Sequence, residues 1–329
     1  MNPTDLNRLQ LMVTNTQWIK KEFAWQPLGI SRLAAMLYAA EDREADPASI
    51  RDAHDRIKAN TGAFSTFRGN LSVGIAAMLS LSDDPQARLN DTLHVYEMMK
   101  AHQFGASDYL VLAAYEIAQH ANPERYEEAI VRTRTFYDGM KKNHRMLTSH
   151  DDYVFAAMLG LSDLEPEASL KRMEQLYAEL KPELRAGNGL QALTQLLVLG
   201  EADLGTGVRL LELRDLLRQR KIRLDKEYTL PSLGLLALLP QETRILADEI
   251  EENAAYLREQ KGFGAWSILD QELLLIVSSL LVSRSVNDAR QQLSAPAASS
   301  VLANLLIAQQ AAAIASIATV TVIASSSSQ

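Results

Sequence analysis

At 329 residues, with 47% apolar content and a formal charge of -8 from 41 acidic and 33 basic residues, the chain can bury a large core under an acidic, mixed-charge surface. The charges are dispersed without a block of five or six of one sign, which excludes the basic face that phosphate tracking needs and argues for no nucleic-acid partner. Cysteine is absent, so disulfides, thiolate zinc sites and cysteine nucleophiles are excluded, and six histidines are all that remain for imidazole chemistry.

In the first segment, Met1 to Phe23, Leu6, Leu9, Val13 and Trp18-Ile19 fall at helical spacing, with Asp5, Arg8 and Lys20-Lys21-Glu22 among them. This pattern predicts an amphipathic helix capped by Thr4 or Asp5, not the unbroken apolar core of a signal peptide, and so a cytoplasmic protein. Ile30 to Ala40 predicts a second helix, stopped near Asp46-Pro47, and Ala48 to Lys58 a third, ended by Asn60-Thr61-Gly62. Residues 1–63 are thus expected to form a three-helix cap.

A repeat begins at Phe64. Ala76-Ala77-Met78-Leu79 and Leu81-Ser82-Asp83 return eighty residues later as Ala156-Ala157-Met158-Leu159 and Leu161-Ser162-Asp163. At an offset of forty, Leu159-Gly160 matches Leu199-Gly200, and Lys181, Lys221 and Lys261 fall in step. Each unit reads as an apolar first helix, a polar turn and a more amphipathic second helix. The first helices centre on Ile75 to Leu79, Val111 to Ile117, Val154 to Leu159, Leu193 to Leu199, Leu233 to Leu239 and Leu273 to Leu281. The second helices are predicted over Leu89 to Lys100, Ala129 to Lys142, Ala168 to Leu180, Val208 to Gln219 and Ile245 to Gln260.

These segments predict an all-α protein with about six helical hairpins over residues 64–293, continuous with the cap. Two helices cannot bury an apolar face alone, so neighbours must stack, either as an open α-solenoid or as a closed α/α-toroid with the first helices inside. Residues 294–329 are expected to form an Ala-rich helix and a disordered tail. Val301 to Ala324 carries no charge, but its alanines and Gln309-Gln310 make it a poor bilayer span, so a packed helix is favoured over a membrane anchor.

Unusual residues gather just before the first helices, at Arg68-Gly69-Asn70, Ser107-Asp108-Tyr109, Ser149-His150-Asp151-Asp152-Tyr153, Gly187-Asn188-Gly189, Tyr228 and Gly262-Phe263-Gly264-Ala265-Trp266. In a stack of hairpins these positions share one rim, where unpaired N–H groups suit a polar ligand. The competing explanation is capping, for which Ser107, Asp108, Ser149, Asp151, Asp152 and Asn188 are standard residues. His150, Asp151, Asp152 and Asp108 are the catalytic candidates, because adjacent carboxyls raise one another's pKa and an imidazole beside them can share a proton. Arg68, Asn70, Tyr153, Asn188 and Trp266 are the ligand-binding candidates, Arg68 as a carboxylate or phosphate clamp or else as a salt-bridge partner of Asp108 or Asp151. No metal or cofactor is assigned: a metal would need ligands from Asp108 or Asn188 on neighbouring units, and no P-loop, dinucleotide fingerprint, HExxH or nucleophile elbow occurs. Tyr96, Tyr137, Tyr177 and Tyr256 read as a packing stripe, and the run from Asp248 to Glu252 as a solvated face.

Asn60-Thr61-Gly62, Phe64-Ser65-x-Phe67-Arg68-Gly69-Asn70, Thr148-Ser149-x-Asp151-Asp152-Tyr153, Gly187 to Leu193 and Gln260-Lys261-Gly262-Phe263-Gly264 together resemble a bacterial family known as domain of unknown function four-thousand-and-three. The resemblance spans nearly the whole chain. It implies an all-helical bacterial protein and carries no catalytic residue with it.

Two functions fit these residues. The first is a binding or scaffold module that holds a polar small molecule or protein segment on the rim of the first helices. The second is a toroid hydrolase with paired aspartates as general acid and base on a sugar or other polar substrate, which requires a pocket at the mouth lined by an aromatic such as Trp266 or Tyr153.

Overall fold

The computed structural model describes residues 2–203 and 205–292. Among them are fourteen α-helices and no strand: α1 (Pro3–Glu22), α2 (Leu28–Ala40), α3 (Pro47–Asn60), α4 (Ser72–Leu81), α5 (Pro85–Ala101), α6 (Asp108–His120), α7 (Tyr126–Asn143), α8 (Tyr153–Leu161), α9 (Pro166–Leu180), α10 (Asn188–Leu199), α11 (Thr206–Gln219), α12 (Leu230–Leu238), α13 (Thr243–Arg258) and α14 (Asp270–Gln292). Every helix expected from sequence in this span is present. The Ala-rich segment from Val301 to Ala324 lies outside the described residues.

The helix starts are written in local chemistry. Asp46 and Asp84 each accept from two backbone N–H groups at the heads of α3 and α5, with Pro47 and Pro85 at the first helical position, where a missing N–H costs nothing. Ser107 accepts from Leu110 N and caps α6 as expected.

The helices pack in neighbouring pairs: α1 with α2, α3 with α4, α5 with α6, α7 with α8, α9 with α10, α11 with α12 and α13 with α14. In each pair the second helix is the more apolar one and is buried almost throughout, as in Ser72 to Leu79 of α4 and Tyr153 to Gly160 of α8. The tight partner of each apolar helix is therefore the amphipathic helix before it, whereas the sequence reading drew the unit from the other side. A helix buried on all faces has no preferred side, so its pattern does not tell which neighbour it holds more closely.

The even-numbered helices meet in order. α2 packs on α4, the Tyr115 hydroxyl of α6 donates to the Met78 carbonyl of α4 at 3.1 Å, α6 packs on α8, then α8 on α10, α10 on α12, α12 on α14, and α14 on α2. Small residues permit this closeness: a Cβ at Gly234 would lie 2.3 Å from a Leu193 methyl. Residues 1–63 accordingly do more than cover one end. α2 carries Ala34-Ala35-Met36-Leu37, the same tetrad as α4 and α8, and contacts both α4 and α14.

Where the last pair meets the first, the contacts are ionic. The Arg32 guanidinium donates to Glu272 Oε1 at 2.9 Å and to the carbonyls of Gly262 and Ser267. Arg8 reaches the Leu280 carbonyl of α14 at 3.4 Å while its fork onto both Asp42 oxygens stays within the first pair, and Arg284 bridges Asp5 and Glu249. Glu249 thus leaves the solvated face expected of it, and Asp248 and Glu251 pair with Arg220. Tyr96 and Tyr137 are buried, and Tyr177 and Tyr256 pack partly buried against the core, as the stripe predicts.

Candidate functional site

The interior between the even-numbered helices is filled by their own side chains, so open space is found at the rim where those helices begin. A cavity of about 180 Å³ opens there between the starts of α6, α8, α10 and α12. Its walls are Asp151, Asp152, Asn188 and Glu227 together with the rings of Tyr109, Phe155 and Tyr228.

Each polar group is placed by a local constraint. His150–Asp152 form a short 3-10 turn that leads directly into α8. Asp152 Oδ2 accepts from Ser149 N at 2.9 Å, while the Ser149 hydroxyl donates to Asp151 Oδ1 at 2.5 Å. Asp152 is therefore a cap through one oxygen only. Its other oxygen, Oδ1, accepts from Gln195 Nε2 at 2.8 Å and Gln191 Nε2 at 3.3 Å, and Gln191 Nε2 also donates to Thr148 Oγ1. Glu227 and Tyr228 are set by close approach: a Cβ at position 189 would lie 2.1 Å from the Glu227 carbonyl oxygen, so only glycine lets α10 start against this loop.

Burial pushes the Asp152 carboxyl up to about 7, and the charge of neighbouring Asp151 adds to the rise, against lowering by the hydrogen bonds from Gln195 and Ser149. Among the described residues no guanidinium or ammonium pairs with Asp152. The oxygens Gln191 Oε1 and Gln195 Oε1, both buried, have no hydrogen-bond partner. Burial also raises the Tyr228 hydroxyl, followed by the charges of Glu227 and Asp151.

The sequence candidates separate into three groups. Asp151, Asp152 and Asn188 come together in the cavity. His150 and Tyr153 stay one layer behind: their rings stack at 5.2 Å, and the buried Tyr153 hydroxyl accepts from Gly105 N at 3.0 Å. Asp108 turns toward Gly69, where a Cβ would meet its Oδ1 at 2.7 Å; burial raises its carboxyl. The third group lies elsewhere on the rim. Arg68 and Asn70 line a separate cavity with Trp25, His54 and Lys58, and the Arg68 guanidinium caps the end of α3 through the carbonyls of Lys58 and Thr61 rather than pairing with Asp108 or Asp151. Trp266 is fully exposed and lines none of these cavities.

Glu227, Phe155 and the two glutamines escaped the sequence reading. A signal for Glu227 was present, since an acid followed by tyrosine stands before three apolar helices, as Asp108-Tyr109, Asp152-Tyr153 and Glu227-Tyr228. Gln191 and Gln195 are one turn apart on α10, a spacing that places both amides on the face toward Asp152.

The fold and this site define an all-helical protein of paired helices with a polar cavity, partly walled by aromatic rings, at the starts of α6, α8, α10 and α12. The chain belongs to the family described as "Protein of unknown function (DUF4003)", which it matches over residues 15–312. It is similar to a Bacillus subtilis (strain 168) protein named "Uncharacterized protein YeaA", with 23% identity over 237 residues, or 69% of this chain and 71% of the relative. No solved structure matches the chain.

Proposed function

We propose that the chain is a ligand-binding module in which a cyclic, toroid-like helical repeat presents a pocket for a polar small molecule at one rim. One observation carries this reading: three separate chain segments deliver Asp151 and Asp152, Asn188, and Glu227 to one cavity whose remaining walls include the rings of Tyr109, Phe155 and Tyr228. A few convergent polar groups set among rings are the usual composition of a small-molecule site. The cavity suits a ligand of about single-ring size, whereas a peptide would need a longer groove.

A hydrolase remains the second reading, favoured by Asp152 itself. A carboxyl raised to about 7 beside a second carboxyl is the pairing expected of a general acid and its base. A bacterial source is supported by the Bacillus relative, and a cytoplasmic location by the cysteine-free composition. No described helix is long and apolar enough to cross a membrane.

The test is thermal unfolding of the full chain against a panel of metabolites and sugars, beside Asp151→Asn and Asn188→Ala variants. A ligand at 100 times its dissociation constant adds about 2.7 kcal/mol to stability. The expected result is a melting shift that both variants abolish. A shift that survives in both would place the ligand elsewhere, and turnover of a hit that ceases in Asp152→Asn would move the assignment to the enzyme.

A further inference from the structure

The three rim cavities differ in charge. The cavity beside Arg68 also holds Lys58 and His54, and the one between α9–α10 and α11–α12 holds Arg185, Arg218, Arg223 and Lys226 against Asp225 and Glu227, the last shared with the Asp151 cavity. The Asp151 cavity contains three carboxyl groups and no lysine, arginine or histidine. Nothing lining it neutralises that charge, and its carboxylates act on one another: Asp151 raises Asp152, and Glu227 and Asp151 raise Tyr228.

We infer that this cavity takes a small organic cation, an alkylammonium ion seated against Tyr109, Phe155 and Tyr228 and neutralised by Asp151 and Glu227. The inference rests on the proposed binding reading and narrows it to a ligand class. Rings and carboxylates attract an ammonium together, the first through the negative face of the π system and the second by charge. Behind Asp152, the buried oxygens Gln191 Oε1 and Gln195 Oε1 have no donor among the described residues, so the carboxamides that hold Asp152 bring no positive charge to this end of the pocket.

Two alternatives fit less well. The first-turn N–H groups of α8 and α10 favour an anion, but the cavity there is lined by three carboxyl groups, which repel one. A magnesium or calcium ion needs several oxygens in a tight shell, and among the described residues no group of three or more acidic or histidine side chains is arranged to hold a metal. Three aromatic walls would add nothing to a hydrated metal. They suit an ion that is weakly hydrated and partly apolar.

Binding is measured by calorimetry at low salt with two cations, choline and n-butylammonium, and two neutral probes, 3,3-dimethyl-1-butanol (the uncharged isostere of choline) and glucose. The expected result is at least tenfold tighter binding of one cation than of either neutral probe. That preference should fall tenfold or more in Asp151→Asn combined with Glu227→Gln, and affinity should fall in Tyr228→Ala, with the helical circular dichroism unchanged in each. Salt at 0.5 M should weaken the cation and leave glucose unaffected, as screening about the Debye length requires. If glucose or the neutral isostere binds as tightly as the cations and Asn188→Ala removes it, the cation inference is overturned and the binding reading stands. If none of the four binds and the wider panel also shows no pocket-dependent shift, both are overturned.

Discussion

At the seam where the last pair of helices meets the first, buried carboxyls face guanidinium groups, whereas at the rim the buried Asp152 carboxyl is held by two carboxamides and a backbone N–H. Glu272 is raised by burial, with Arg32 pulling it back, and Asp5 is raised by burial, with Arg284 opposing. Asp225 carries the comparison to its other limit: burial would raise it, yet hydrogen bonds from Arg223 and Arg218 outweigh burial and hold it below the usual range. Asp152 has no such partner and rises to about 7. The same side-chain chemistry thus gives a structural lock in one place and a titrating group in the other. A buried charge that is paired holds the fold, and one left unpaired near a cavity is a candidate for function.

Breaking the seam should have the largest effect. Glu272→Ala strands the Arg32 charge among buried groups and is expected to cost about 3–5 kcal/mol in denaturant unfolding. Arg32→Met with Glu272→Leu, which removes both charges and keeps the volume, should recover most of that loss. If the double variant is as unstable as Glu272→Ala, the seam is held by the carbonyl contacts of Arg32 and not by its ion pair.

Asp152 should respond to pH in the opposite sense from Asp225, the carboxyl that arginines hold below the usual range. Because the folded value of Asp152 lies above the model-compound value of 3.8, the folded protein holds this proton more tightly than the unfolded chain. The stabilisation is full below pH 3.8 and is lost as pH rises to about 7, by at most about 4 kcal/mol. Asp152→Asn removes this dependence, and its amide can donate to the unpartnered oxygens of Gln191 or Gln195. Comparing wild type and variant between pH 4 and pH 8, the variant should gain relative stability as pH rises; an unchanging difference would mean that Asp152 is not raised by its burial.

Gly189→Ala should act on both stability and the pocket. The new methyl would meet the Glu227 backbone, which cannot swing aside like a flexible side chain, so a loss of about 1–3 kcal/mol is expected. Ligand-induced melting shifts should fall with it, since the displaced segment carries Glu227 and Tyr228. A stability loss without any change in ligand response would separate the packing of this loop from the site.

The contrast between seam and rim was only half legible in the sequence. Helix positions were, because apolar blocks, caps and prolines are local signals, and Asp151, Asp152 and Asn188 were found because helix starts collect polar residues at one rim. The seam was not, since Arg32 and Glu272 are 240 residues apart and each reads as an ordinary charge in a helix. The Ala34 to Leu37 tetrad of α2 was the available clue that the first two helices continue the inner layer. Arg68 misled for a related reason: a guanidinium before a helix looks like a ligand clamp, and only the fold reveals the carbonyls of Lys58 and Thr61 in front of it.

Arg68 therefore supplies the smallest and sharpest control. Arg68→Ala leaves the last carbonyls of α3 without their side-chain donor, which is expected to cost about 1 kcal/mol, the scale of one lost cap. Because Arg68 lines a different cavity from Asp151, ligand response at the acidic pocket should be unchanged. A choline shift that vanishes in this variant would mean that the two rim cavities communicate, and a metabolite shift that vanishes would place an anionic ligand on the arginine; either way the acidic pocket would lose its assignment.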